Sequence, residues 1–568
     1  MDGIFAMKKI VLLTNGLGET SWFLMKEISN NFDTLIISKF GTISLGKKLL
    51  HITILIRNYL FDELKRFFLG HNNFRPYLPP LFNKMNFINI ENDKDYNSEK
   101  VYRKIKEFRP DIICISGTKK IDKKILNIAK YSLNLHHGFL TFYRGVTSHG
   151  WAILEKRFDY IGATIHEATN KIDSGKIYNY VRVTPLWKEN ISQFRRRLYL
   201  TGAKELIKTL NKIHLIKPMS QINKNIFNYK KINKFLNFEK TVQKEFYSKN
   251  TKRYIINSGI DTSKNKKLLN LSKKIFITFN KKKKLSNGLY IVNYHHICDE
   301  TFPEINKIPN IYTKINIFQK HLKFYQENFK FISLKNGLEI LRKKEMKEKY
   351  ISITFDDTLK SFLKALNEMK KYSIKPTIFL NTDPLILKKP LANHLKLLCY
   401  EFWLKNQKYS LKHLYKWYEK ILEKKEIKNK ELNKVILLFR KFIVSQYLNQ
   451  EQIKSCLKNK TIDIGSHTSN HKIFSNKNYD EQYKLIALPH KKLEKIFKKK
   501  IDFFSFPFGK IFHRNFYSEY IAEKISKHYF SCSGGINTKI NKGAIDRIAI
   551  HNEEIDELNN LLLNQYLN

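Results

Sequence analysis

Cysteine is scarce in this chain and is not arranged for metal or disulfide chemistry. The 568 residues include five cysteines. They lie far apart, with no Cys-x-x-Cys pair, at Cys114, Cys298, Cys399, Cys456 and Cys532. This spacing excludes a zinc knuckle and a disulfide framework. Reduced thiols in a cytoplasmic protein are the simplest interpretation.

Long apolar runs are also missing. We find no segment with enough consecutive apolar residues to span a bilayer. Met1 to Phe5 is followed at once by Lys8 and Lys9 and by a run typical of a folded strand, which is not the pattern of a secretory signal. We therefore expect a cytoplasmic protein.

Acidic residues are few relative to basic ones. The chain has 104 Lys and Arg residues against 51 Asp and Glu, for a formal net charge of +53. The lysines are spread along the whole chain, and a bias in codon composition accounts for much of the excess. A basic surface still favours nucleotide-linked sugars, diphosphate-linked lipids or peripheral association with the anionic inner face of a membrane. We expect no nucleic-acid partner.

Two short motifs carry the residues of a divalent-metal site. One is Thr354-Phe355-Asp356-Asp357, and the other is Gly465-Ser466-His467-Thr468-Ser469-Asn470-His471. One carboxylate and two imidazoles can bind zinc or a similar ion, and a second carboxylate can take a proton from water. Taken alone, two histidines four residues apart could equally lie on the surface of a helix. The two motifs together favour a metal hydrolase.

The position of both motifs strengthens this interpretation. Each follows an apolar, β-prone run, at residues 350–355 and 461–464. Both should therefore lie at the carboxyl end of a strand, where barrel enzymes place their chemistry. Gly465 and Ser466 are expected to form a turn.

These motifs resemble those of the polysaccharide deacetylase (NodB-like) family, and the resemblance covers residues 289–550. It implies a distorted (β/α) barrel, with Asp356 as the general base. It also implies three metal ligands: Asp357, His467 and His471. Zinc is the first choice of metal, and iron or cobalt would also suit these ligands.

Further segments extend the resemblance to substrate-binding residues. Phe506-Pro507-Phe508-Gly509 is similar to the family's groove segment, and residues 546–551 are similar to its closing strand, with Arg547 beside the substrate and His551 protonating the departing amine. Thr358 stands where the family usually has Gly, and the groove segment lacks the family's common arginine. Residues 391–457 have a helical pattern that we interpret as an insertion, either a solvated cover or a substrate lid.

The first third of the chain predicts a different fold. Apolar strands at residues 8–14, 34–38 and 111–116 alternate with helical patterns, which indicates a parallel, Rossmann-like α/β sheet. Gly16 and Gly18 follow the first strand, but a third glycine and a ribose-binding acidic residue are missing, so a dinucleotide site is not expected.

The segment from Leu133 to Gly145 resembles the central signature of the folate-dependent formyltransferases, and the resemblance covers residues 8–213. It implies 10-formyltetrahydrofolate as formyl donor. Asn134 and His136 would stabilise the oxyanion formed during transfer, and Asp173 would orient the imidazole and help the amine lose its proton. Tyr143 and Arg144 are the substrate-binding candidates of this region.

Two further histidines lie near this signature, His137 and His166. We expect both to be packing or surface residues. His137 and Gly138 replace the family's usual Pro-Ser, and this leaves the identity of the acceptor open.

We therefore predict two enzymes in one chain: a formyltransferase-like domain at 1–216, a connector at 217–287 and a deacetylase-like domain at 288–568. The chain would deacetylate a nucleotide-linked or lipid-linked sugar and then formylate the freed amine. Alternatives are formylation followed by deformylation, or one half acting only as a binding module. A transfer-RNA formyltransferase is a further rival, but it would need a nucleic-acid-binding barrel where this sequence has a hydrolase.

Overall fold

This computed structural model describes residues 8–16, 18–39, 53, 86–140, 142–145, 147–187, 189–221, 227–229, 235–258, 266–279, 282, 284–299, 311–405, 414, 430–474, 477–540 and 543–567. The chain divides into two compact units, Met1–Phe276 and Ile277–Asn568. The division falls within the segment 217–287 that the sequence predicts as a connector.

The first unit is a mixed α/β fold. Its described strands are β1 (Lys9–Thr14), β2 (Asp33–Ser38), β3 (Asn86–Asn89), β4 (Ile112–Ser116), β5 (Tyr131–His136), β6 (Tyr143–Gly145), β7 (Gly162–Glu167), β8 (Ile177–Arg182) and β9 (Phe227–Tyr229). Its described α-helices are α1 (Glu19–Asn31), α2 (Glu99–Phe108), α3 (Lys123–Leu126), α4 (Ser148–Leu154), α5 (Ile191–Lys212), α6 (Phe235–Phe246), α7 (Lys249–Ser258) and α8 (Lys266–Phe279, which continues into the second unit).

Seven of these strands form one sheet in the order β3-β2-β1-β4-β5-β7-β8. The pairs from β3 to β5 are parallel, and β7 and β8 are antiparallel. Alternate residues of β1 pack into different cores: Leu12 faces α1 and α5, and Val11 faces α2 and α3. Helices therefore cover both faces of the sheet, which explains the continuous apolar runs of its strands and confirms the Rossmann-like prediction.

Two helices from the predicted connector pack on this unit. Phe238 of α6 lies against Trp151, with ring centroids 4.6 Å apart. Tyr254 of α7 donates a hydrogen bond to Asp159 Oδ1 at 2.5 Å. α6 and α7 therefore belong to the first unit.

The second unit is built on parallel strands. Its described strands are β10 (Gly288–Tyr294), β11 (His296–Cys298), β12 (Tyr312–Lys314), β13 (Lys330–Phe331), β14 (Lys349–Phe355), β15 (Thr377–Leu380), β16 (Asp463–Ser466), β17 (Phe503–Ser505), β18 (His528–Phe530) and β19 (Ile548–Ala549). Its described α-helices are α9 (Ile315–Asn328), α10 (Leu334–Lys343), α11 (Phe362–Lys370), α12 (Thr382–Leu387), α13 (Leu395–Lys405), α14 (Lys430–Ser445), α15 (Gln450–Lys458), α16 (Tyr479–Phe497), α17 (Phe516–Ile525) and α18 (Ile555–Leu563).

The main sheet of this unit has the strand order β18-β17-β16-β15-β14-β10-β19, with every pair parallel. This curled parallel sheet confirms the predicted distorted (β/α) barrel. Because the strands are parallel, the residues that follow β10, β14, β16, β17 and β19 meet at one edge. The prediction of a turn at Gly465 and Ser466 is wrong, since β16 continues through Ser466 before the loop begins.

The helical insertion is described in part, and residues 406–413 and 415–429 lie outside the described residues. Its helices α13 and α14 share an apolar core with Leu359, which lies just after the Asp356–Asp357 pair. Main-chain hydrogen bonds also join the insertion to this loop, from Lys360 N to Gln446 O and from Leu448 N to Thr358 O. Among the described helices, none is both long enough and apolar enough to cross a membrane.

Candidate functional site

The structure brings the three predicted metal ligands together at the edge of the second sheet. Asp357 Oδ1 lies 3.5 Å from His467 Nε2 and 3.5 Å from His471 Nε2. All three residues are buried, and their ligand atoms lie within 4.8 Å of one another. Three bonds of about 2.1 Å to one tetrahedral ion would separate their ligand atoms by about 3.4 Å. The observed spacing fits such an ion.

The hydrogen bonding of these residues leaves two of these atoms, Asp357 Oδ1 and His467 Nε2, available for coordination. Asp357 Oδ1 and His467 Nε2 are buried and have no hydrogen-bond partner among the described residues. An unsatisfied buried polar atom is costly, so both atoms need a partner. His467 Nδ1 donates to Ser505 O at 2.9 Å, which directs the Nε2 lone pair toward Asp357. Burial lowers the pKa of His471 to about 3 despite the nearby carboxylate, so its imidazole is in the neutral form that binds metals.

Asp356 points to a different partner. Arg547 donates to Asp356 Oδ1 at 2.9 Å and to Oδ2 at 2.8 Å, and Asn293 Nδ2 donates to Oδ2 at 3.1 Å. Burial alone would raise the pKa of Asp356, but the Arg547 guanidinium and the His467 imidazole lower it to about 2. Asp356 is therefore an ionised carboxylate beside the ligand cluster, 3.8 Å from His467 Nε2.

Arg547 does not lie where the sequence places it. We expected a substrate-binding residue, but its side chain is fully buried behind Asp356. Its remaining hydrogen bonds go to buried protein groups, including Ser505 Oγ at 2.5 Å and Asn293 Oδ1 at 2.8 Å. The prediction of a substrate contact is corrected for this reason: the arginine's donors are used inside the protein.

The groove segment presents one aromatic ring to solvent. Phe506 and Pro507 are buried, whereas Phe508 is 42% exposed and lies against His471, with ring centroids 4.4 Å apart. Phe506 packs in an apolar cluster with Phe504 and Tyr529. Of the three predicted groove residues, Phe508 is the one whose side chain is exposed for contact with a substrate.

Strained backbone conformations are concentrated in this site. Five of its non-glycine residues have positive φ: Asp357 (78°), Thr358 (59°), Thr468 (69°), His471 (59°) and Phe508 (58°). Such conformations cost on the order of 1–3 kcal/mol each and persist where the surrounding structure enforces them, often at functional sites.

His551 lies beside a second histidine, His295, which directly follows β10. The rings of His295 and His551 are stacked with centroids 6.4 Å apart. Burial lowers the pKa of His295 to about 4, although Asp357 and Asp356 oppose the shift. Burial and the charge of Lys510 lower the pKa of His551 to about 4 as well. Both imidazoles are neutral at physiological pH.

The first unit brings together the residues of the formyltransferase signature. Asn134 and His136 lie two residues apart on β5 and share one face, and Asp173 lies in the loop before β8. His136 Nδ1 is 3.4 Å from Asp173 Oδ2. Ser148 Oγ lies 3.1 Å from His136 Nε2, and Gly145 N donates to Asp173 Oδ2 at 3.0 Å.

The charges of this group follow from its burial. Burial alone would raise the pKa of Asp173, but His136 and His166 hold it below the ordinary range. Burial lowers the pKa of His136, with Asp173 opposing that shift. The pair is therefore an ionised carboxylate beside a neutral imidazole, which is the state in which a carboxylate can orient a catalytic histidine.

His166 is a member of this group, contrary to our expectation of a packing or surface histidine. Its Nε2 accepts a hydrogen bond from Asn134 Nδ2 at 3.0 Å and lies 3.5 Å from Asp173 Oδ1. The antiparallel pairing of β5 and β7 places it directly opposite Asn134. His137 is half-buried and packs against Tyr199, with ring centroids 4.5 Å apart, which is a packing position as expected.

The two substrate-binding candidates of this unit make contacts within the protein. Tyr143 is 2% exposed and donates to Glu155 Oε2 at 2.8 Å. Arg144 donates to Gln221 Oε1, and Gln221 Nε2 in turn donates to Asp173 O at 3.0 Å. Tyr143 thus lies in the protein interior, contrary to the expected substrate contact, while Arg144 is linked to the Asp173 loop.

Two family sequence patterns match the chain. The formyl transferase family matches residues 79–210, which include Asn134, His136 and Asp173. The polysaccharide deacetylase family matches residues 343–529, which include the Asp356–Asp357 pair and the two predicted histidine ligands, His467 and His471.

Individual relatives fall into the same two groups. A methionyl-tRNA formyltransferase from Sulfurihydrogenibium sp. (strain YO3AOP1) is 32% identical over 132 residues, covering 23% of this chain and 42% of that protein, so the chain spans less than half of this relative. A Streptococcus pyogenes deacetylase in complex with acetate matches with 19% identity and a TM-score of 0.34, covering 48% of this chain and 97% of that one. A sugar N-formyltransferase from Shewanella sp. matches with 15% identity and a TM-score of 0.27, covering 42% of this chain and 87% of that one.

Both patterns describe families of enzymes, and they match separate parts of the sequence in chain order. The chain is therefore an N-terminal formyltransferase-family region fused to a C-terminal polysaccharide deacetylase-family region.

Proposed function

We propose that the second unit is a divalent-metal-dependent carbohydrate N-deacetylase. The observation that carries this proposal is the buried trio of Asp357, His467 and His471 beside the ionised Asp356: their potential ligand atoms lie within 4.8 Å of one another, and Asp357 Oδ1 and His467 Nε2 have no hydrogen-bond partner among the described residues. A divalent ion held by the trio, with zinc as the first choice, would supply Lewis-acid activation of water and of the amide carbonyl.

In this reaction Asp356 takes the proton of the attacking water, since its carboxylate is ionised and fixed by Arg547. The water oxygen bonds to the carbonyl carbon, and the bond from that carbon to the sugar nitrogen breaks. His551 passes a proton to the departing amine. Because His551 is neutral at physiological pH, it must first receive a proton, and the proton taken by Asp356 is the available source.

We propose that the first unit transfers a formyl group from 10-formyltetrahydrofolate to a sugar amine. The amine nitrogen attacks the formyl carbon, and the bond from that carbon to the folate nitrogen breaks. Asn134 and His136 stabilise the oxyanion, and the ionised Asp173 orients His136 and helps remove the amine proton. An amino sugar is favoured as acceptor over transfer RNA because the fused unit belongs to a carbohydrate-processing family.

The two activities form a series in which deacetylation frees the amine that formylation then caps. Covalent fusion keeps both sites at a high effective concentration relative to each other. The net charge of +53 favours a sugar carried on a nucleotide or on a diphosphate lipid. The same charge supports a proposed association with anionic membranes, which co-sedimentation with vesicles containing anionic lipid would test. The widely spaced cysteines support the proposed cytoplasmic location.

Product analysis with two variants tests this series. The full-length protein, formyl-folate and a panel of nucleotide-linked N-acetylamino sugars should give products that have lost one acetyl and gained one formyl group by mass spectrometry. Asp356→Asn should not act on the N-acetyl substrate but should formylate the free amine, and His136→Ala should accumulate the free amine. Gain of formyl without loss of acetyl from any substrate, or identical products from both variants, would contradict the series.

A further inference from the structure

We infer that the helical insertion supplies positioning residues to the metal site: His394 and Asn393, supported by Tyr447, hold Asp357 so that only its Oδ1 faces the ion. This role deepens the metal-dependent hydrolase proposed above and presupposes it. The insertion then takes part in the site through hydrogen bonds to Asp357, which a role as a solvated cover alone would not explain.

The two oxygens of Asp357 have different surroundings. Oδ1 faces the two histidine ligands and has no hydrogen-bond partner among the described residues. Oδ2 receives two donors from the insertion, His394 Nε2 at 2.7 Å and Asn393 Nδ2 at 3.3 Å. The carboxylate is therefore divided into one oxygen for the metal and one for the insertion. Loss of the donors would free Oδ2 to turn toward the ion.

The hydrogen positions in this chain of contacts follow from chemistry. A carboxylate only accepts, so His394 Nε2 carries the proton that it donates to Asp357. In the neutral imidazole Nδ1 is then an acceptor, and Tyr447 Oη, 3.0 Å away, donates to it. The same hydroxyl accepts from Leu391 N at 3.0 Å. Each hydrogen bond between the Leu391 amide and Asp357 Oδ2 thus has one donor and one acceptor.

The insertion is fixed firmly enough to orient this carboxylate. His394 and Asp357 are both fully buried. Glu401 Oε1 of α13 lies 2.6 Å from His296 Nε2, and Ser361 Oγ lies 3.0 Å from His296 Nδ1. Together with the main-chain bonds to Thr358 and Lys360, these contacts attach the insertion on both sides of the His394 contact.

Partners that orient metal ligands usually change metal affinity about 10- to 100-fold when they are removed. The first measurement is the affinity of metal-free, full-length protein for Co²⁺ and Zn²⁺, by competition with a chromophoric chelator. His394→Ala should weaken binding by a factor in that range. His394→Gln, whose amide can donate to Oδ2, should recover part of the loss, and Tyr447→Phe should show a smaller loss.

The visible spectrum of the Co²⁺ protein gives a second readout that a merely structural role would not move. Band intensity reports coordination number, so release of Oδ2 in His394→Ala should change it, and His394→Gln should retain the wild-type spectrum.

His321 offers a matched control. It is fully buried, its Nδ1 lies 2.9 Å from Tyr294 Oη, and its Nε2 donates to Glu553 O at 2.7 Å. His321→Ala therefore removes an equally buried histidine with a tyrosine partner but no metal ligand. It should lose stability without a change in Co²⁺ affinity or spectrum.

Three results would overturn the positioning role: wild-type affinity and spectrum in His394→Ala, an equal change in His321→Ala, or no recovery in a folded His394→Gln protein. If the wild-type protein itself binds no divalent ion, both the positioning role and the proposed metal-dependent hydrolase are wrong. Wild-type binding with an unaffected His394→Ala variant would refute the positioning role alone. Circular dichroism on every variant separates these outcomes from misfolding.

Discussion

Replacement of Arg547 by methionine should strongly destabilise the second unit, because it leaves Asp356 as a buried carboxylate without its counter-charge. Both side chains are almost completely buried and are joined by two hydrogen bonds of 2.9 and 2.8 Å. Removal of one partner of such a pair typically costs about 3–5 kcal/mol. Each kcal/mol lowers the Tm of a unit of this size by about 2–4 °C, so the drop should be on the order of 10 °C.

Differential scanning calorimetry of the metal-free, full-length protein would measure this shift, with the transition of the first unit as an internal reference. The double variant Arg547→Met with Asp356→Asn removes both charges and should regain most of the lost stability, because a neutral amide costs less to bury than a carboxylate. The reasoning is refuted if Arg547→Met stays within about 1 kcal/mol of wild type, or if the double variant loses the sum of the two single losses.

Three further predictions concern individual site residues. Asp357→Asn should no longer hold stoichiometric metal by elemental analysis, whereas Asp356→Asn should keep metal and lose hydrolysis. Equal metal content in the two variants would contradict these separate roles. His136→Ala should slow formyl transfer about 10²- to 10³-fold and leave hydrolysis intact, and a loss of both activities would point to a shared site. Because burial and Lys510 lower the pKa of His551 to about 4, its imidazole should stay neutral from about pH 5 to about pH 8. The ratio of wild-type to His551→Gln hydrolysis rates should then be flat over this range, and a step near the ordinary histidine pKa would contradict it.

The proximity of Asp357, His467 and His471 could be predicted from the sequence because it follows mainly from the topology of the parallel strands. Once residues 350–355 and the run before Gly465 are assigned to parallel strands, their following residues must meet at one edge of the sheet. That reasoning requires no knowledge of side-chain packing, and the structure brings Asp357, His467 and His471 together as predicted.

Contacts that depend on packing could not be predicted in the same way. His394 lies in a leucine-rich stretch where a single histidine has no distinguishing pattern, and it reaches Asp357 only because the insertion packs on Leu359. His166 joins Asn134 through the register of β5 and β7, and a shift of one residue would turn it to the other face of the sheet. Arg547 is separated from Asp356 by most of the second unit's sequence, and the two residues meet because β10 pairs with both β14 and β19.

Both units contain a buried aspartate with a positive φ beside several histidines, two in the first unit and three in the second, and the arrangement of these histidines differs. Asp173 has φ 53° and Asp357 has φ 78°. The two oxygens of Asp173 face different histidines, Oδ2 toward His136 and Oδ1 toward His166. In the second unit His467 and His471 both face Asp357 Oδ1, and His394 bonds to Oδ2. Among the described residues, the arrangement in the second unit is the one that brings three potential metal-ligand atoms within 4.8 Å of one another.

The two units also differ in whether their potential ligand atoms already have hydrogen-bond partners, and treatment with a chelator would test this difference. In the first unit His166 Nε2 accepts from Asn134 and Asp173 Oδ2 accepts from Gly145 N, so these atoms are already used. In the second unit the corresponding Asp357 Oδ1 has no partner among the described residues. Incubation of the full-length protein with EDTA, followed by its removal, should therefore abolish hydrolysis and leave formyl transfer to a free amino sugar unchanged. Added Zn²⁺ or Co²⁺ should restore hydrolysis only. Loss of formyl transfer in parallel with hydrolysis would show that the transferase site also depends on a metal, and that its hydrogen bonds do not exclude one.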